Sequence, residues 1–120
     1  MTNFKDFLKQ LGISQEEYLK RAKSKARAEN YDPNYIEFST DDKHKLSYKG
    51  VKFGSSTNGD YIIYSILAKK GKYSRDEIDK KRNSYLARAK PTMLRMNDDG
   101  SPSALSYYIL WTCTIIALFF

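Results

Sequence analysis

The chain has 120 residues and a formal charge of +7, set by 21 Lys and Arg against 14 Asp and Glu. That length holds one domain with a modest core and excludes a second. A single cysteine, Cys113, excludes an internal disulfide, and no Cys/His spacing of a zinc site occurs. The positive surplus lies in residues 1–30 and 61–99, which favours anionic partners: nucleic acid, an anionic membrane surface or an acidic protein. Lys5 and Asp6 bring charge into a start that lacks an apolar signal core, so an intracellular protein is expected.

Asn3 is placed to cap a helix whose Phe4, Phe7, Leu8 and Leu11 share one face, with Gly12 at its end. Ser14 and Glu17 form a capping box for a second helix, and Ile13 and Tyr18 stand as its hydrophobic staple. The second helix is predicted to reach Glu29 and to bury Tyr18, Leu19, Ala22 and Ala26. Its other faces present Lys20, Arg21, Lys23, Lys25 and Arg27 before Tyr31, Asp32 and Pro33 end it.

The period then changes. Leu46, Tyr48, Val51 and Phe53 flank Lys49 and Gly50, as in a tight hairpin, while Ile36 and Phe38 alternate as a further strand or an extended lead-in. Gly54 to Gly59 reads as a connecting loop, and Asp60 to Lys70 as a buried helix ended by Gly71, with a buried strand as the alternative. Ser74 and Glu77 make a second capping box, with Tyr73 and Ile78 as its staple. The helix from Arg75 is predicted to stop at Pro91, burying Ile78, Tyr85, Leu86 and Ala89 and exposing Lys80, Lys81, Arg82 and Arg88. Residues 91–100 read as a polar loop, and Ser101 and Pro102 supply the cap and first residue of a closing helix. The expected fold is α+β and mostly helical, about five helices around a small β-hairpin.

Little of this carries chemistry. Gly54 and Gly59 have phosphate-loop spacing, but Asp60 and Tyr61 stand where such a loop needs Lys and Ser or Thr. His44, the only histidine, sits in a charged turn, Asp41-Asp42-Lys43-His44-Lys45, and reads as a surface residue. Cys113 has no basic neighbour to activate it. The pairs Asp41/Asp42 and Asp98/Asp99 suit turns. No catalytic residue, metal ligand, cofactor or small-molecule substrate is expected. A helix-turn-helix reading of residues 4–29 fails because Glu16 and Glu17 would face the phosphate-lined groove. Nucleic-acid contact through the later Lys and Arg residues would be to backbone, without sequence readout.

Several motifs occur together: Phe7-Leu8-Lys9-Gln10-Leu11-Gly12, Tyr31-Asp32-Pro33, Val51-Lys52-Phe53-Gly54, Gly59-Asp60-Tyr61, Lys80-Lys81-Arg82-Asn83-Ser84-Tyr85-Leu86 and Ile109-Leu110-Trp111. In this order they resemble small basic proteins of the nucleocytoplasmic large DNA viruses, the phycodnavirus- and mimivirus-like giant viruses. The resemblance covers about residues 4–111 and implies no catalytic residue. It implies a virion protein, either a minor capsid-associated or scaffolding component with other virion proteins as partners, or a protein of the packaged genome.

All charge ends at Asp99, and the remainder is apolar. Residues 1–111 are expected to form a single small basic domain, with Ser101 to Trp111 completing its core. Residues 112–120 then form an apolar extension whose Ile115, Ile116, Leu118, Phe119 and Phe120 could dock on a partner. Nine residues are too few to span a bilayer as a helix, whereas Ala104 to Phe120 taken together sits at the short limit for a tail anchor. The leading expectation is therefore a non-enzymatic virion structural protein. Non-specific binding of viral DNA is the alternative, and a tail-anchored membrane protein the second alternative.

Overall fold

The computed structural model describes residues 3–96 and 100–111. It is mostly helical α+β: five helices and one three-stranded antiparallel sheet. Helix α1 spans Phe4–Leu11, capped by the Asn3 side chain on the Asp6 amide, and ends at Gly12, whose amide returns to the carbonyls of Leu8 and Lys9. Helix α2 spans Gln15–Ala28, and Ser14 Oγ accepts from the Glu17 amide. The staple residues Ile13 and Tyr18 are both buried.

A 3₁₀ turn, Pro33–Tyr35, leads into strand β1, Ile36–Phe38. Strands β2, His44–Tyr48, and β3, Val51–Ser55, follow, in spatial order β1-β2-β3. Lys49 and Gly50 both have positive φ, 51° and 84°, the backbone of a two-residue turn matched to strand twist. Tyr48 faces Val51 and Leu46 faces Phe53 across that hairpin, while Ile36 and Phe38 pair with Tyr48 and Leu46 on the other side. The extended lead-in is thus a true third strand.

Helix α3, Tyr61–Lys69, starts at Asp60 and buries Ile62, Ile63, Ile66 and Leu67. Helix α4, Arg75–Met96, opens with a reciprocal capping box between Ser74 and Glu77. Two expectations fail here. α4 does not stop at Pro91 but carries it inside, where the lost N–H and the ring's crowding of the preceding turn fall on exposed residues, Lys90 to Thr92. Of its predicted core residues only Ile78 is fully buried; Tyr85, Leu86 and Ala89 are half-buried.

Helix α5, Pro102–Leu105, begins at Ser101, whose hydroxyl accepts from the Ala104 amide, and runs on as a π-helix, Ser106–Trp111. Leu105, Ile109 and Leu110 join the residues of α1, α2, α3 and the sheet in one core, and Ala104 is buried beside them in sequence. The closing segment therefore packs into the core, as its apolar pattern implies. No helix among the described residues is long and apolar enough to cross a membrane. Ile115, Ile116, Leu118, Phe119 and Phe120, the expected docking tail, lie outside the described residues.

Candidate nucleic-acid interface

A buried polar hub fixes the framework of the site. Asp60, needed locally as the cap of α3, accepts the Ile63 amide on Oδ1 at 2.8 Å. Its Oδ2 accepts from the Lys45 ammonium and from the Tyr18 hydroxyl, each at 2.6 Å. Lys45 is 2% exposed and Asp60 0%, so both charges are out of water and depend on each other. Burial pushes the Lys45 ammonium down from the ordinary lysine range, against the attraction of Asp60. Burial pushes the Tyr18 phenol well up, and the Asp60 carboxylate adds to that. The hub ties β2, α2 and α3 together at one point.

Gly54 brings the sheet onto the closing segment. Its φ is +80°, and a Cβ there would lie 2.8 Å from Leu110 Cδ1 and 3.2 Å from Lys45 Cδ. Only glycine meets both demands, the left-handed backbone and the close approach. Between the hairpin, the Gly59 turn, α4 and the closing segment this leaves a groove of about 670 Å³.

The groove is basic and aromatic. Lys43, His44 and Lys52 line it from the hairpin side, Arg88 from α4, and Tyr64, Tyr85 and Trp111 from the helices. No carboxylate is among its lining residues. Tyr85 and Trp111 lie face to face, centroids 4.4 Å apart with planes at 10°. Tyr64 approaches Trp111 at 6.2 Å and 55°. Burial raises the phenols of Tyr64 and Tyr85. A neighbouring depression of about 430 Å³ shares Tyr64, Arg88 and Trp111 and adds Lys80, Lys81 and Ser84. There Lys81 Nζ sits 5.2 Å above the Tyr64 ring.

The basic residues expected to face an anionic partner divide. Lys80, Lys81 and Arg88 converge on the aromatic cluster. Arg82 turns aside: its guanidinium lies 5.4 Å over the Tyr61 ring and 3.7 Å from Asp79. On α2, Lys20, Lys23 and Arg27 line a separate depression of about 420 Å³ that also contains Glu16. Arg21 pairs with Glu17 at 3.5 Å. Lys25 is a correction. It is 1% exposed, and its ammonium donates to the Tyr108 carbonyl at 3.0 Å and meets Glu29 at 3.4 Å. A long side chain one turn from Ala22 and beside Ala26 falls on the core stripe of α2, where its charge holds the closing segment instead of a ligand.

The sequence does not disclose the hub or the groove. Asp60 is readable only as the start of a buried helix; its cap role is seen in the structure, and its partners lie 15 and 42 residues away. The loop after Gly54 is part strand, and Gly54, Asn58 and Gly59 line the groove. His44 has a partner, Asp41 Oδ2 at 2.9 Å, and that bond holds the Asp41 carboxyl well below the usual carboxylate range. Asp41 also accepts the amides of Lys43 and His44, which makes it a turn residue first. No hydroxyl or thiol of the described residues is hydrogen-bonded to the His44 ring. No cluster of three metal-ligating side chains occurs among the described residues.

Compared with known protein families, curated proteins and solved structures, the chain matches none.

Proposed function

We propose that the protein binds nucleic acid without catalysis and without sequence readout, gripping backbone phosphates along the groove and the adjoining lip of α4. The observation that carries this reading is the convergence of Lys43, Lys52, Lys80, Lys81 and Arg88 on two adjacent concavities lined by aromatic rings and by no carboxylate. Lys52 also touches Asp41 at 3.5 Å, which leaves Lys43, Lys80, Lys81 and Arg88 as the cations of this set with no carboxylate partner among the described residues. The α2 face is the weaker candidate because Glu16 and Glu17 share it. Packaged viral DNA, which the family resemblance implies, is a polymer of this chemistry. The virion structural role, the leading expectation from sequence, rests on the basic surface and on residues 112–120, which lie outside the described residues.

The test is binding of a labelled oligonucleotide by the full chain, followed by fluorescence anisotropy across a salt series. Log affinity should fall linearly with log salt, by about 0.7 to 0.9 for each phosphate neutralised. Non-specific affinity of about 10⁻⁴–10⁻⁶ M is expected at physiological salt. Salt-independent binding, or none at low salt, contradicts the reading.

A further inference from the structure

We infer that the site selects single strands, because an aromatic saddle crosses the middle of the phosphate track and takes an unpaired base. This inference rests on the nucleic-acid reading above and names its ligand. Tyr64, Arg88 and Trp111 line both the groove and the neighbouring depression, so they form the ridge between them. Cations stand on either side: Lys43 and Lys52 in the groove, Lys80 and Lys81 in the depression. A strand that satisfies both sets of cations must pass over the ridge.

What the ridge offers there, beside the Arg88 guanidinium, is a ring face. Tyr85 backs the Trp111 indole in a parallel stack at 4.4 Å, which holds the indole in one plane. Tyr64 meets it at 55°, too inclined to stack, and no second ring lies parallel to the indole among the described residues. Trp111 is half-buried, with surface in both cavities. A planar unpaired base can lie on such a surface, and every base has a suitable face, so the contact tolerates any sequence. The π-helical winding of Ser106–Trp111, a local geometry found often at functional sites, is the element that delivers the indole to the ridge.

Duplex cannot use this surface. Its bases are paired and stacked inside, and a groove of about 670 Å³ is the size of a small-molecule site, not of a double helix. Duplex and simple polyanions would touch the rim cations alone. Stacking of one base is worth roughly a tenfold or greater gain in affinity. Trp111 and Tyr64 are therefore the residues that distinguish strands, while the lysines and Arg88 bind any phosphate chain.

Trp111 is the only tryptophan, so its emission reports the ridge directly. The full chain is titrated with a short oligothymidylate, a duplex of equal length and inorganic polyphosphate, reading Trp111 emission and competition against a labelled strand. The single strand should quench the emission and bind about tenfold tighter than duplex at the same salt. Polyphosphate should bind without quenching. Trp111→Leu should cost the single strand about tenfold and leave polyphosphate unchanged, with circular dichroism to check its fold. The titration of the unaltered chain needs no substitution. Equal affinity for duplex and single strand, or single-strand binding without a change in emission, overturns the saddle and leaves the broader reading standing. Failure of all three polyanions to bind at low salt overturns the broader reading itself.

Discussion

Lys45 Nζ and Asp60 Oδ2 meet at 2.6 Å inside the domain, and the same oxygen receives the Tyr18 hydroxyl at 2.6 Å. One carboxylate therefore caps a helix, neutralises a buried ammonium and anchors a second helix. Its removal leaves a charge and a phenol in the core with no partner. Asp60→Ala should destabilise the fold by about 3–5 kcal/mol. Lys45→Met leaves Asp60 still holding Tyr18 and the Ile63 amide, and should cost less, about 1–3 kcal/mol. Urea unfolding of both variants measures the difference; equal losses would show that Asp60 is not the centre of the group.

Gly54 is under a double constraint, a φ of +80° and a Cβ position 2.8 Å from Leu110 Cδ1. Gly54→Ala should lower stability by about 1–3 kcal/mol through backbone strain and overpacking together. It should also shift Leu110, and with it the indole of Trp111 next in the chain. A fall in melting temperature accompanied by a change in tryptophan emission is the expected result. An unchanged melting temperature contradicts the close approach.

Alkaline titration separates the tyrosines. Burial holds the phenols of Tyr18, Tyr64 and Tyr85 above their ordinary value of about 10. A group whose folded value is raised adds stability that is whole below the unfolded value and is lost as pH rises through the folded one. Stability should accordingly decline above about pH 10, with Tyr18 ionising last and only as the core opens. Ultraviolet absorbance of tyrosinate, followed beside circular dichroism, tests this. Complete ionisation of all tyrosines with the fold intact would contradict the buried Tyr18–Asp60 bond.

Two triple variants compare the basic faces. Lys80→Ala/Lys81→Ala/Arg88→Ala should reduce the slope of log affinity against log salt by about 2. Lys20→Ala/Lys23→Ala/Arg27→Ala should change it by less than about 1. Stronger dependence on the α2 set would move the interface to that helix.

Pro91 lies inside α4, and beyond it Leu94 is 59% exposed. Pro91→Ala should restore a backbone hydrogen bond, raise helix content and add stability of at most about 3 kcal/mol. Circular dichroism and thermal melting provide the check. A gain of more than a turn of helix would show that the proline terminates α4.

Much of the fold is legible residue by residue. Asn3, Ser14, Asp60, Ser74 and Ser101 start helices in the structure because a cap is a bond between neighbours in sequence. Lys49 and Gly50 set the hairpin by the same locality. The exception is Pro91, where a strong local stop is overridden and its cost falls on exposed residues of α4.

Burial and encounter have no such local signature. Lys25 has the same chemistry as Lys20 and Lys23, yet Tyr108, 83 residues away, takes its charge into the interior. Lys45 alternates with buried Leu46 on one strand and is nevertheless buried itself, because Asp60 lies where its ammonium ends. Tyr64, Tyr85 and Trp111 come from three elements and meet only when the closing segment packs beneath α4. Patterns of apolar spacing and capping depend on residues a turn or less apart, so the chain's helices, hairpin and charge surplus can be read in order. A groove depends on which surfaces face each other, and packing alone decides that.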